Sequence, residues 1–215
     1  MEVLEAMQNR SSCRSFRPDP LPREEIEAVL THAARAPSAV NLQPWRIWVA
    51  GGEELERLKT SLVRAYRERR IGCSPGGGSV PPPAEDWGPG SFRELGRILA
   101  DRGGDFGSFI NEGSCRLYGA PIGIFCFLEP GEPAARLLDC GLWLGHVLLT
   151  AHDQGLATCP VGLLAVYADV VRDALFVADD CQFACAVALG YAREDDPVNQ
   201  VVSPRRGIET VQWVF

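Results

Sequence analysis

Two arginines and two serines lie close together near the start of the chain, in the stretch NRSSCRSF. They are Arg10, Ser11, Ser12 and Arg14. Guanidinium groups can hold a phosphate through paired, charge-assisted hydrogen bonds, and serine hydroxyls add further donors. A second basic spot, SPRRGIE, places Arg205 shortly before the end of the chain. These residue types predict a phosphate site, although the first stretch on its own also fits a solvated basic turn.

Three side chains that can donate or accept hydrogen bonds are crowded into the stretch APSAVNLQPWRIWV. Ser38, Asn41 and Gln43 follow Pro37, which ends a predicted helix, and they precede a predicted strand. A connection between a helix and a strand needs one turn-forming residue rather than three such side chains. The surplus predicts that this loop recognises the donors and acceptors of a bound ligand.

Other kinds of chemistry have little support in the sequence. The three histidines, His32, His146 and His152, show no zinc-binding spacing with each other or with cysteine, so we expect no metal site. No G-x-S-x-G nucleophile motif occurs, and the three glycines at 76–78 are followed by Ser and Val rather than by the lysine of a phosphate loop. Hydrolysis and phosphoryl transfer are therefore disfavoured.

The composition is that of an ordinary globular domain. The 215 residues carry a formal net charge of -7, and 46% of them are hydrophobic. This balance predicts a single domain over residues 1–215 and disfavours nucleic acid, whose phosphates require a basic surface. With no basic, apolar leader and no run of eighteen apolar residues, we expect a cytoplasmic protein without a membrane segment. The 8 cysteines form no C-x-x-C pair and are expected to pack in the interior, with a redox role open for Cys159.

Hydrophobic periodicity predicts helices and strands without regular alternation, which is typical of an α+β domain. The helix at 135–155 is apolar nearly all round and is expected at the centre of the molecule or in a dimer interface. The Gly- and Pro-rich segment at about 71–90 is predicted to be either a mobile surface loop or an active-site lid. The other predicted helices are 1–10, 23–36, 53–69, 92–102 and 168–175, the predicted strands are 45–51, 120–129, 183–192 and 207–215, and a loop is predicted at 156–164.

Five motifs follow one another in a distinctive order along the chain. They are NRSSCRSFRPDPLP, APSAVNLQPWRIWV, YGAPIGIF, GLATCPVG and the C-terminal series ALGYAREDDPVN and PRRGIETVQW. In this order they resemble the nitroreductase-type FMN flavoproteins, over residues 2–213 except for an uninformative stretch at about 67–112. The resemblance implies a nitroreductase-like α+β fold with a central, mostly antiparallel sheet flanked by helices. It also implies an intertwined homodimer with two FMN sites at the interface and a terminal strand that crosses to the partner.

The resemblance further implies roles for three groups of residues. Contacts to the FMN phosphate and ribityl chain match Arg10, Ser11, Ser12 and Arg14, with Arg205 closing on the phosphate. The segment that reaches the flavin, which the family's dimer presents partly from the second subunit, matches Pro37, Ser38, Asn41 and Gln43. The loop whose backbone faces the flavin ring matches Pro160, Val161 and Gly162. An amide can match the pyrimidine edge of the flavin, which alternates donors and acceptors. A backbone N–H near flavin N5 would stabilise negative charge on the reduced ring. Ser11 and Ala157 depart from the arginine and glycine that many relatives carry there.

The function implied by the resemblance is that of an FMN-dependent oxidoreductase. It takes hydride from NAD(P)H and reduces a small aromatic or conjugated acceptor, such as a nitroaromatic or a quinone, in a ping-pong scheme. Because flavin N5 carries the hydride, no protein acid or base is required, and no catalytic residue is assigned. Two alternatives stay open: an FMN-dependent dehydrogenase or oxidase acting on a natural-product intermediate, and a non-catalytic flavin-binding protein.

Overall fold

The computed structural model of the protein describes residues 2–72, 96–101, 106–202, 205 and 212–214. Most of the Gly- and Pro-rich segment, the first part of the helix predicted at 92–102 and most of the strand predicted at 207–215 lie outside the described residues. Residues 212–214 are described and have no regular secondary structure.

Helices form where the sequence carries an apolar stripe with helical spacing. In α3, for example, Leu55, Leu58 and Leu62 recur at three- and four-residue intervals and are fully buried. Residues 96–101 are also helical. The helices with complete bounds are α1 (Val3–Asn9), α2 (Arg23–Ala33), α3 (Gly52–Arg69), α4 (Phe106–Cys115), α5 (Leu137–Asp153) and α6 (Ala168–Leu175). Short 3-10 turns cover Ala39–Asn41, Leu117–Gly119, Ala134–Arg136, Gly162–Tyr167 and Pro197–Asn199.

Four strands of the described chain form one antiparallel sheet, which confirms the predicted sheet type. They are β1 (Trp45–Gly51), β2 (Ile122–Leu128), β3 (Ala157–Pro160) and β4 (Gln182–Gly190), arranged in the order β1-β2-β4-β3. The central strand β2 is buried along its whole length, as its uninterrupted apolar sequence requires. The short strand β3 lies at one edge of the sheet, where its outer side is open to further contacts.

Helices cover both faces of the sheet and divide the core into two layers. On one face, α3, α4 and α6 pack around Phe125 and Phe127 of β2. On the other face, α2 and α5 pack against Ile124, with Trp143 of α5 almost completely buried. Helix α5 therefore covers one face of the sheet rather than lying at the centre, and its outer side exposes apolar residues, with Leu138 71% and Leu142 40% exposed. The alternative expectation, a place in a dimer interface, stays a prediction.

The prediction of a loop over residues 156–164 was wrong. Residues Ala157–Pro160 form strand β3, which pairs with β4, and a 3-10 turn begins at Gly162. Proline and glycine indicated a loop, but Pro160 ends an edge strand, where a missing N–H costs little. Ala157 lies in β3 without a positive φ, so it carries no strain; the left-handed residue of this connection is Gly155, with φ of 75°.

The sequence also missed or overextended other elements. Helix α4 was not predicted, because two glycines and the polar residues of GSFINEGSC weaken its helical pattern. Helix α2 ends at Ala33 rather than at residue 36. The predicted ranges of α5 and β2 extend one or two residues beyond the observed element at each end. Apart from α4 and β3, the described helices and strands are of the types that the periodicity predicts.

Candidate functional site

The arginine motif at residues 10–14 is fixed against the edge strand of the sheet. Ser12 forms a parallel bridge with Thr158 of β3, and the Cys13 N–H donates to the Thr158 carbonyl at 2.9 Å. The first helix ends at Asn9, so Arg10 projects from its end just before this contact begins. The motif and β3 are thus brought together although they are far apart in the sequence.

The side chain of Asn199 also holds the motif in place through hydrogen bonds to backbone groups. Its Oδ1 accepts the Arg14 backbone N–H at 2.8 Å, and its Nδ2 donates to the carbonyls of Ser15 at 2.8 Å and Arg193 at 3.0 Å. A single side chain therefore sets the path of the backbone around Arg14. No role was predicted for Asn199 from the sequence, although it lies in the motif ALGYAREDDPVN, because hydrogen bonds between residues so far apart leave no local pattern.

The electrostatic environment of the motif favours an anion. Burial lowers the pKa of Arg10 from its usual range, and the nearby positive charge of Arg205 lowers it further. Among the described residues, the Arg10 guanidinium makes no hydrogen bond and no ion pair, and the buried Nε of Arg14 has no hydrogen-bond partner. Partly desolvated cations without counter-charges are costly. A bound phosphate or other small anion would remove this cost.

A cavity of about 470 Å³ opens beside Arg10 and Ser11. Its walls include residues 155–158, which lead into β3 and form its first half, together with His152 and Asn199. This volume lies within the range of small-molecule sites, roughly 300–1,000 Å³. The arginine motif therefore borders a space large enough for an organic ligand.

Arg14 lies on the inner side of the motif, beside Tyr118 and Cys159. Burial raises the pKa of Tyr118 to about 12, while its hydroxyl shares a hydrogen bond with Ser114 and interacts with the Arg14 guanidinium. Burial likewise raises the pKa of Cys159 to about 11, although Arg14 and Arg10 lower it. Cys159 is therefore a protonated, buried thiol at neutral pH, which favours a packing role over a redox role.

The residues that follow β3 expose a backbone donor. The Val161 N–H is used, because it donates to the Ala186 carbonyl at 2.8 Å. The Gly162 N–H opens a 3-10 turn and has no partner among the described residues. Gly162 is exposed, and a Cβ added there would meet no atom within 4 Å. A flat ligand could therefore approach this N–H closely.

The loop at residues 37–43 is held in a strained shape by its own polar side chains. Val40, Asn41 and Gln43 have φ of 48°, 58° and 51°, in the left-handed region that L-residues disfavour. The Ser38 hydroxyl accepts the Gln43 N–H at 2.9 Å, and Gln43 Nε2 donates to Asn41 Oδ1 at 3.2 Å. The three polar side chains thus stabilise the loop as well as being exposed or partly exposed on it.

This loop and the arginine motif lie near opposite ends of helix α5. The loop contacts Asp139 in the first turn of α5, whereas the cavity beside Arg10 includes His152 in its last turn. These helix positions are about 20 Å apart along the axis. The structure therefore brings residues 10–14 together with Thr158 and Cys159 of β3, whereas residues 37–43 of the same chain contact the opposite end of α5.

Among the described residues, no group of three or more His, Cys, Asp or Glu side chains is arranged to hold a metal ion. No helix in the described ranges is long and apolar enough to span a membrane.

The strain in the loop leads to a stability prediction. Val40 is 93% exposed, so its side chain gains little from packing. Its backbone is left-handed, which is unfavourable for a β-branched residue. Val40→Asn should raise the free energy of unfolding by about 1 kcal/mol, because asparagine tolerates this conformation. Urea denaturation measures the change. Val40→Thr is the control, since it keeps β-branching and should gain nothing; equal stability of the two variants would contradict the prediction.

Comparison with known proteins places this architecture in a family. The model of the Nitroreductase family matches residues 7–75 and 89–191. Nitroreductase NfnB of Mycolicibacterium smegmatis is 33% identical, over 96% of this chain and 90% of the relative. Chloronitrobenzene nitroreductase of Comamonas testosteroni is 31% identical, over 96% of this chain and 94% of the relative.

Solved structures agree with the sequence comparisons. The FMN- and NADPH-dependent nitroreductase NfnB from sphigopyxis sp. strain HMH matches with a TM-score of 0.85 at 29% identity, covering 100% of both chains. The FMN-dependent nitroreductase NfnB from Mycobacterium smegmatis, solved in complex with NADPH, matches with a TM-score of 0.79 at 32% identity, covering 99% of this chain and 98% of the other. The chain therefore belongs to the nitroreductase family and has the nitroreductase-like α+β fold.

Proposed function

We propose that the protein is an FMN-dependent oxidoreductase that takes hydride from NAD(P)H and reduces a small aromatic or conjugated acceptor, such as a nitroaromatic or a quinone. The observation that carries the proposal is the partly buried Arg10 guanidinium, which has no counter-charge among the described residues and borders a cavity of ligand size. The family relatives are named as nitroreductases, and two solved relatives are described as FMN-dependent. The NADPH complex of one relative supports a nicotinamide donor.

The arginine motif has the donors that an FMN phosphate requires. Arg10 and the Arg14 Nε both offer unused donors, and the charge of Arg205 acts on Arg10. Charge-assisted hydrogen bonds to a phosphate would satisfy these groups. Ser11 and Ser12 are the hydroxyl donors within the same turn, with Ser12 fixed to β3. A single phosphate suits this cluster, which favours FMN.

The segment Pro160, Val161 and Gly162 is proposed to face the flavin ring. Val161 is locked to β4 by its N–H, so the neighbouring Gly162 N–H is held in place and free to donate. FMN, when bound, supplies the hydride-transfer chemistry. The role of Gly162 would be to stabilise negative charge at the ring edge without an ionisable group. Hydride donor and acceptor would use this one face in turn, which corresponds to a ping-pong scheme.

The remaining residues of the proposed site come from a second copy of the chain. Within one chain, the loop that carries Pro37, Ser38, Asn41 and Gln43 contacts the first turn of α5 and does not line the cavity beside Arg10, which lies at the last turn of that helix. Exposed apolar side chains on α1 and α5 support a homodimer, because such surface is usually covered by a partner. They are Val3, Leu4, Met7, Leu138 and Leu142.

The proposed reaction is tested by anaerobic mixing of the purified, flavin-loaded protein with NADPH or NADH. Rapid loss of the visible flavin absorbance is expected with at least one donor. Addition of a chloronitrobenzene or a quinone should then restore the absorbance as the acceptor is reduced. Failure of both nicotinamides to reduce the flavin would contradict the proposal and favour a dehydrogenase, an oxidase or a non-catalytic flavin protein.

The phosphate contact is tested by comparing FMN with riboflavin. Arg10→Ala should weaken FMN binding by about 1.5 to 3 kcal/mol, or roughly 10- to 100-fold, the value of a hydrogen bond to a charged group. Riboflavin has no phosphate, so its dissociation constant should not change. Arg23→Ala, an exposed position ion-paired to Glu27, is the control. An equal loss for both flavins would mean that Arg10 acts on the fold rather than on the phosphate.

The Gly162 N–H is tested with a proline substitution. Gly162→Pro removes this N–H donor. The turn itself should be kept, because proline is favoured at the first position of a helical turn. The loss of a bond worth about 1.5 to 3 kcal/mol should make the midpoint potential of the bound flavin more negative by about 30–60 mV. Gly162→Ala keeps the N–H and adds a Cβ in open space, so its potential should match the wild type. Equal potentials in all three proteins would remove Gly162 from the site.

A further inference from the structure

Asp139 is a buried carboxylate that the proposed reaction does not use. Its residue is only 6% exposed, in the first turn of α5. Oδ1 accepts the Ala39 N–H at 3.3 Å, whereas Oδ2 has no hydrogen-bond partner among the described residues. The nearest guanidinium nitrogen, Nη1 of Arg136, is 3.9 Å from Oδ2. Burial of a carboxylate with so few partners is unfavourable, so its position needs an explanation beyond packing.

Attraction to the helix dipole does not account for this burial. A carboxylate in the first turn of a helix is stabilised by the dipole whether it is exposed or buried. Asp169 occupies the same place in α6, where it is exposed and forms a two-pronged ion pair with Arg69. Asp139 instead lies under the loop at residues 37–43. Its distinguishing feature is therefore the contact with Ala39.

The Ala39 contact ties a loop with strained backbone angles to helix α5. Ala39 opens the 3-10 turn in which Val40 and Asn41 are left-handed. Such residues persist only where the surroundings determine them. The bonds from Ser38 to Gln43 and from Gln43 to Asn41 close the loop internally. Among the described residues, the bond to Asp139 is the one hydrogen bond that ties residues 37–43 to another element.

We propose that Asp139 is a positioning residue for the cofactor site. Its carboxylate anchors the strained turn to α5 and thereby fixes where Asn41 and Gln43 project. This inference rests on the proposed function, in which those two amides meet the flavin bound by the other copy. Without the anchor, Val40 and Asn41 relax toward ordinary backbone angles, and both amides move away from the flavin edge.

The test compares Asp139→Ala, which removes the acceptor, with Asp139→Asn, which keeps one acceptor oxygen. Asp169→Ala is the control, because it removes a carboxylate from the first turn of α6 without touching the loop. The first measurement is amide hydrogen exchange of residues 37–43 in the flavin-free protein. The second is the FMN dissociation constant and the visible absorption spectrum of the bound flavin.

The proposal expects exchange in the loop to become at least about tenfold faster in Asp139→Ala, with residues 10–14 unchanged. FMN binding should weaken by a similar factor and the flavin spectrum should shift, while Asp139→Asn and Asp169→Ala stay near the wild type. Unchanged exchange in Asp139→Ala would overturn the anchor. Faster exchange with unchanged flavin binding and spectrum would overturn its role in the cofactor site. Absence of FMN binding by the wild type would refute the proposed function separately, since the exchange measurement uses no flavin.

Discussion

The proposed site depends on a positive charge that the described residues do not pair with an opposite charge. Arg10 is partly desolvated next to Arg205, and the described part of the chain gives it neither an ion pair nor a hydrogen bond. A protein tolerates such a group when a ligand supplies the opposite charge. The surrounding structure keeps the charge in place: Ser12 is bridged to β3, and Asn199 fixes the backbone at Arg14. The fold thus holds these arginines at the edge of the sheet, where we propose that the phosphate of the cofactor binds.

The geometry of α5 then determines how a complete site can form. The cavity beside Arg10 lies near the last turn of this helix, and the strained loop at residues 37–43 lies near its first turn. Helix α5 therefore separates the cavity beside Arg10 from the loop at residues 37–43 of the same chain. A second copy of the chain would bring the loop of one protomer to the arginines of the other. Such an assembly would explain three features together: the strain in the loop, its contact with Asp139 and the exposed apolar surface of α5.

The sequence predicted the element types and the family, but not the long-range contacts. Periodicity identified α3 and β1 closely, because each carries a clear apolar pattern. Strand β3 was missed, since Pro160 and Gly162 suggest a loop and edge pairing leaves no periodic signal. Asn199 and Asp139 were missed for a related reason: each acts on residues at least 100 positions away. The phosphate role of Arg10 was predicted from its residue type and supported by the family resemblance, whereas the role of Gly162 came from the resemblance; both stay predictions.

The central claim, that each site combines arginines of one chain with the loop of another, is tested most directly with a purified heterodimer. One chain carries Arg10→Ala and Arg14→Ala, and the other, with a different affinity tag, carries Asn41→Ala and Gln43→Ala. Each homodimer should bind FMN poorly, whereas the heterodimer should bind about one FMN per dimer with wild-type affinity, because one of its two sites contains no substitution. A verified heterodimer that binds FMN no better than the two parents would show that the site is built within a single chain.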